Sequence, residues 1–240
     1  MNLSLKITSL LLSYPSKDLQ EGASELKQAL QEDASASPVV RKLLADLIDH
    51  ISEQDLYDAQ EAYVILFDRT RTLSLHLFEH VHGESRDRGQ AMVDLMAMYE
   101  GNGLEVDAKE LPDYLPLFLE YLSTRPLAEA QEMLEQTLHI LVALGKRLAK
   151  RDTPYVNAFK VLEEIAGAQP DQALVQEIVD QPEDDPTDLD ALDRIWEEEV
   201  VAFGGGAGEA DCGPDRLQRQ MRASSRKPDD VARPSAQQEG

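Results

Sequence analysis

A single cysteine, Cys212, in 240 residues excludes an intramolecular disulfide and any cysteine-built zinc site, and points to a reducing, cytoplasmic setting. Aromatic residues are scarce, 5% of the chain against 42% hydrophobic overall. A core must therefore rest on Leu, Ala, Val, Ile and Met, which suits helix packing better than a β-sandwich. Basic residues are outnumbered: 23 Lys and Arg face 46 Asp and Glu, a formal net charge of −23. That charge repels nucleic-acid phosphates and favours basic or neutral protein partners, although acidity alone also keeps a protein soluble. No apolar run approaches the roughly 20 residues that span a bilayer. The N-terminus carries one early lysine, Lys6, and a poor cleavage site at Ser13-Tyr14-Pro15-Ser16. Leu3, Ile7, Leu10, Leu11 and Tyr14 fall at helical spacing, so this stretch reads as a first amphipathic helix and not a signal peptide.

Helix signals recur from residue 3 to about 166, and β-alternation is nearly absent. Ser37-Pro38 offers an N-cap followed by proline at the first helical position, with Val40, Leu43, Leu44, Leu47 and Ile51 on one face. Ser52 with Asp55 resembles a capping box ahead of Leu56, Ala59, Tyr63, Leu66 and Phe67. Ser85 can cap a helix that stops at Gly101-Asn102-Gly103. Pro126 to Arg151 predicts the longest helix, with Lys146, Arg147, Lys150 and Arg151 suited to its C-terminal dipole. Thr153-Pro154 opens one more, ending near Gly167. Amphipathic helices joined by short loops predict an all-α bundle over residues 1–166.

From 167 to 240 the composition shifts to 18 acids against 7 bases, and apolar residues thin out. This acidic tail is expected to be largely disordered, since it lacks the apolar surface to fold alone. One segment stands apart: 187–203 predicts a short docking helix anchored by Trp196, Val200, Val201 and Phe203.

Residues 73–95 gather three of the five histidines, four acids and two arginines. His76-x-x-Glu79-His80 has the spacing of an inverted zincin motif: two imidazoles on one helical face, with Glu79 as general base. Gly83 interrupts any such helix, and no acidic motif downstream supplies a third ligand. The competing reading is a junction whose polar groups face a partner. Arg86-Asp87-Arg88 can hold a phosphate at a helix N-terminus or pair locally with Glu79 and Glu84. There is no P-loop, no dinucleotide fingerprint and no G-x-S-x-G elbow.

The segment Leu111-Pro112-Asp113-Tyr114-Leu115-Pro116-Leu117-Phe118-Leu119-Glu120-Tyr121-Leu122 is denser in apolar residues than one helix face needs. Its prolines fix a helix start. It reads as a buried bundle helix or as one that also walls a groove for a partner helix.

These residues carry a family resemblance. Leu77-Phe78-Glu79-His80-Val81-His82-Gly83-x-Ser85-Arg86-Asp87-Arg88-Gly89-Gln90-Ala91-Met92-Val93 resembles the signature of the NarJ family, dedicated assembly chaperones of membrane-bound respiratory nitrate reductase. These belong to the TorD/DmsD superfamily of redox-enzyme maturation proteins. The Pro112-Asp113 run resembles that superfamily's Glu-Pro-Asp-His element, with Tyr114 in place of the histidine. Tyr63-x-x-Leu66-Phe67 resembles its aromatic-x-x-Leu-Phe element. The resemblance covers about residues 3–166 and the Trp196 to Phe203 patch.

It implies a TorD-like bundle without turnover and without a metal or other resident cofactor. Such a chaperone binds the apo catalytic (alpha) subunit of nitrate reductase, in part through its N-terminal segment, and supports molybdenum cofactor insertion before membrane anchoring. Proteins that deliver the molybdenum cofactor are further expected partners. The expected partner-binding residues are Phe78, Glu79, His80, His82, Arg86 and Asp87 in the first motif, and Pro112, Asp113, Tyr114 and Phe118 in the second. Asp113 and Glu79 are expected to meet basic residues, Tyr114 to offer a hydrogen bond, and Phe78 and Phe118 to line an apolar floor. A zinc hydrolase using His76, Glu79 and His80, or a general acidic adaptor, are the other readings.

Overall fold

Asn2, Ser16, Ser37, Asp55 and Asp171 each accept a backbone N–H at the start of a helix, so side chains set these five starts. The structure is a computed structural model; it describes residues 1–81, 86–106, 110–186 and 188, with the backbone alone for Arg86 and Asp87. These residues all lie in one unit, Met1–Leu192. The helices in chain order are α1 (Leu3–Leu12), α2 (Lys17–Glu21), α3 (Ala23–Glu32), α4 (Pro38–Ser52), α5 (Leu56–Tyr63), α6 (Arg86–Gly101), α7 (Leu115–Ser123), α8 (Leu127–Lys150), α9 (Val156–Ala166) and α10 (Gln172–Val179). The chain is all-α: its one β-type pairing among the described residues is an isolated antiparallel bridge between His76 and Tyr114.

Helix α1 is buried on more than one face, through Leu5, Ile7, Leu11 and Leu12 and also through Ser4, Thr8 and Ser9. Burying hydroxyls is tolerable only if they are bonded. Thr8 donates to the Ser4 carbonyl at 2.8 Å and Ser9 to the Pro116 carbonyl at 2.7 Å. The Asn2 N–H reaches the Ser123 carbonyl at 2.6 Å. One end of α1 thus meets the far end of α7, and the two run antiparallel.

Helices α8 and α9 form an antiparallel hairpin, clamped where Gln131 donates to the Ile165 carbonyl at 2.9 Å. Gly145 allows the approach: a Cβ there would sit 3.3 Å from Cβ of Phe159. Gly167 ends α9 with φ +63°, the left-handed cap that glycine adopts without strain. Fully buried Leu44, Leu119, Leu134, Leu141, Phe159 and Leu162 join these layers into one core, each such side chain contributing about 1.5–3 kcal/mol through burial.

Helix α10 lies beyond residue 166, where composition alone places the end of the helical body. Asp171 caps it, and Val175 and Ile178 are buried against α8. The deciding residue is Arg147 of α8, 2% exposed. Its guanidinium donates to the carbonyls of Thr72 at 2.8 Å and Ile178 at 2.5 Å, and more weakly to Gln181 at 3.4 Å. The cation thereby faces the negative end of α10, and burial pulls its pKa down. The strap beyond is tied by Lys150 to Glu183, by the Asp184 N–H to Thr72 Oγ1 and by Arg69 to the Pro186 carbonyl. The docking segment expected within 187–203 and the acidic tail after it lie outside the described residues, Asp188 excepted.

Candidate functional site

Between α5 and α6 the chain stops being regular, and the two motif segments come together there. Helix α5 widens at its end into a π-turn, Val64–Asp68, closed by the Arg69 N–H on the Val64 carbonyl at 3.1 Å. Such turns are rare and concentrate at functional places. Two short 3-10 turns follow, Arg71–Leu73 and Leu77–His80. The stretch between them lies alongside residues 113–115: the Leu77 N–H donates to the Asp113 carbonyl at 3.0 Å and the Leu115 N–H to the Leu75 carbonyl at 2.8 Å.

Asp113 holds this crossing together. It is fully buried, which a carboxylate tolerates only when its lone pairs are taken. Oδ2 accepts the Phe78 N–H at 3.1 Å and Oδ1 accepts His76 Nδ1–H at 3.2 Å. That bond to Asp113 is the main reason the His76 pKa is raised. The sequence reading puts Asp113 on a charged rim facing a partner; the structure spends both of its oxygens inside the chain. Pro112 beside it is buried, with its carbonyl accepting the hydroxyl of fully buried Tyr99 at 2.8 Å.

Tyr114 is half-buried. Its ring lies 5.4 Å from that of His76, and its hydroxyl meets that of Tyr63 at 3.0 Å. Tyr63 in turn donates to the Leu12 carbonyl at 2.9 Å, so Tyr63 must accept from Tyr114. The relay ties the starts of α7 and of the crossing to the ends of α1 and α5. Burial pushes the pKa of both phenols up, so both stay protonated donors.

His80 is buried, and its Nε2–H is spent on the Ser74 carbonyl at 2.8 Å. Burial lowers its pKa. The zinc reading needs His76 and His80 on one α-helical face. Here His76 precedes a 3-10 turn with Nδ1 on Asp113, and His80 points inward to its own backbone. Phe78 is half-buried against the core. Glu79 is half-buried and pairs with Arg88 at 3.7 Å, the local partnering that the charge pattern allowed. Phe118 is 3% exposed and belongs to the core, not to a groove floor. His82 and the side chains of Arg86 and Asp87 lie outside the described residues, as does Ser85.

Two residues join the site without a prior signal. Tyr14 has left α1, is 49% exposed, and sets its edge on the Tyr63 ring at 5.6 Å. Asp68 ends the π-turn, exposed. Leu111 and Val81 remain exposed beside the crossing. The result is a surface of aromatic and aliphatic side chains interrupted by carboxylates, which can hold an apolar segment carrying positive charge.

Residues 16–160 match the family model described as nitrate reductase delta subunit. The chain is 42% identical over 221 residues to the nitrate reductase molybdenum cofactor assembly chaperone NarJ of Escherichia coli K12, covering 92% of each. It is 45% identical over 199 residues, 83% of each chain, to the probable assembly chaperone NarW of the same strain. A probable NarJ of Bacillus subtilis is 30% identical over 64% of this chain and 83% of its own.

Proposed function

The chain belongs to the nitrate reductase delta subunit family, and from that premise we propose that it is a dedicated chaperone which binds the apo catalytic subunit of respiratory nitrate reductase. Binding runs in part through that subunit's N-terminal segment and supports insertion of the molybdenum cofactor. It keeps the subunit off its membrane anchor until insertion is complete. The chain is an assembly factor and not an enzyme. It works in the cytoplasm, where proteins that deliver the molybdenum cofactor are further partners.

The observation that supports this reading most is the crossing held by Asp113. A buried carboxylate fixes the backbone of Phe78 and aligns His76 with Tyr114, leaving an apolar and aromatic surface preorganised for a peptide. Preorganisation reduces the ordering cost of binding. The names of its relatives, nitrate reductase molybdenum cofactor assembly chaperones, support nitrate reductase as the source of that peptide. Among the described residues no helix is long and apolar enough to cross a membrane.

The test is co-purification of the tagged, full-length chain from nitrate-respiring cells. The expected companion is the catalytic subunit lacking molybdenum cofactor. Recovery of only the cofactor-loaded, membrane-anchored enzyme, or of no nitrate reductase subunit, would contradict the proposal.

A further inference from the structure

At the end of α1 away from the crossing, the chain forms a cavity of about 180 Å³. It opens between the starts of α1, α4 and α8 and the end of α9, and its lining includes Ser4, Ser35, Gln131, Glu164, Val40 and Leu127. The ten residues of α1 rise about 15 Å. The Asn2 N–H on the Ser123 carbonyl marks this end, and the Tyr63 hydroxyl on the Leu12 carbonyl marks the other. The cavity is well below the roughly 300–1,000 Å³ of pockets that enclose a drug-sized ligand, and its size suits one long side chain.

We infer that this cavity receives a lysine or arginine side chain of a protein partner, flanked in that partner by apolar residues. The polar groups of the lining are left as acceptors. The Ser35 hydroxyl proton is spent on Asp33 at 2.5 Å and a Gln131 Nε2–H on the Ile165 carbonyl at 2.9 Å, which leaves the Ser35 lone pairs and Gln131 Oε1. Ser4 is 4% exposed, yet its hydroxyl makes no hydrogen bond among the described residues. A hydroxyl that is hidden from bulk water and unbonded is costly, and a ligand N–H removes that cost. Exposed Glu164 adds a full negative charge, and no lysine or arginine lines the cavity. The helix starts do not reverse this sign, because the first-turn N–H groups of Leu5 and Val40 are already taken by Asn2 and Ser37. Among the described residues no group of His, Cys, Asp and Glu is set to hold a metal ion, so the cation is organic. Val40 and Ile165 offer apolar walls to a methylene stem. Leu127 in the lining and Val39, next to Val40, are exposed and give the flanking residues a surface to cover. The site stands apart from the peptide surface above and does not depend on it.

NMR titration of the isotope-labelled, full-length chain tests this with the capped tripeptides Leu-Arg-Leu and Leu-Lys-Leu, the capped tripeptide Leu-norleucine-Leu, and free arginine. An Arg or Lys tripeptide should give saturable amide shifts at Ser35, Gln131 and Ile165, and the norleucine tripeptide much smaller ones. Free arginine should bind more weakly, because it leaves Leu127 and Val39 uncovered. Glu164→Gln should weaken the basic tripeptide about fivefold, the upper end for an exposed charge pair. Ser4→Ala removes a hydroxyl that holds nothing in the free chain, so it should leave the melting temperature unchanged and still weaken binding. Equal shifts from the norleucine tripeptide, shifts confined to the crossing, or no saturable shift at all overturns the inference. Free arginine binding as tightly as the basic tripeptides overturns the assignment to a protein partner.

Discussion

The hydroxyls of Tyr63 and Tyr114 meet at 3.0 Å, and the direction of the bond is fixed because Tyr63 donates to the Leu12 carbonyl. Residues 51 positions apart in the chain are thereby joined at the place where two sequence motifs cross. Where the resembling superfamily has histidine, this chain has a phenol that donates one hydrogen bond and stays neutral.

The two hydroxyls are not equivalent. Tyr63→Phe strands both the Leu12 carbonyl and the Tyr114 hydroxyl, and should cost about 1–2 kcal/mol in urea unfolding at unchanged m-value. Tyr114→Phe leaves the Tyr63 to Leu12 bond intact and should cost less, about 0.5–1 kcal/mol. The double substitution should cost less than the sum. Equal and additive losses would show that the relay is not formed.

Asp113→Ala leaves the half-buried His76 imidazole and the Phe78 N–H without their acceptor. A loss of about 2–4 kcal/mol in unfolding free energy is expected, with hydrogen exchange speeding up first at the Phe78 amide. A variant with wild-type stability and exchange would contradict the buried clamp.

His76 and His80 should titrate on opposite sides of the ordinary value of 6.5, His76 above it and His80 below. For His76 the folded pKa is raised. Its contribution is therefore fully present below the unfolded value and is lost as pH rises through the folded one. For His80 the folded pKa is lowered, so its contribution is present above the unfolded value and falls away on acidification toward the folded one. Imidazole chemical shifts followed by NMR would check both; His80 titrating above His76 would contradict the assignment.

Arg147→Ala removes the donor that joins α8, the Thr72 turn and the end of α10. It should cost about 3–5 kcal/mol and expose the 172–186 region to limited proteolysis well before the α8–α9 hairpin. Protection of that region equal to wild type would show that apolar contacts alone hold α10.

Much of the bundle was legible from residue types. Ser37-Pro38 and Gly167 mark their helix ends because the cap chemistry is local. The longest helix, α8, shows its apolar face in its spacing. What escaped depends on residues far apart in sequence. Asp113 reads as a rim charge until the Phe78 N–H and His76, 35 and 37 residues away, are seen to take its oxygens. Phe118 reads as groove floor until α7 is packed into the core. Helix α10 is only eight residues long, and although Leu174, Val175, Ile178 and Val179 fall at helical spacing, the acidic composition of the whole 167–240 span masks them, and its anchor, Arg147, sits on another helix. The π-turn leaves no local mark that separates it from one more turn of α5, so Asp68 went unnoticed. The motif Tyr63-x-x-Leu66-Phe67 did point to the right neighbourhood.

The central claim is that this surface binds the N-terminal segment of the apo catalytic subunit, and the most direct measurement is calorimetric titration of the folded, full-length chain with that segment as a synthetic peptide. The account predicts saturable one-site binding, with an association rate that falls as salt screens charges beyond roughly 8–10 Å. No heat of binding, or equal affinity for a scrambled peptide of the same charge, would contradict it.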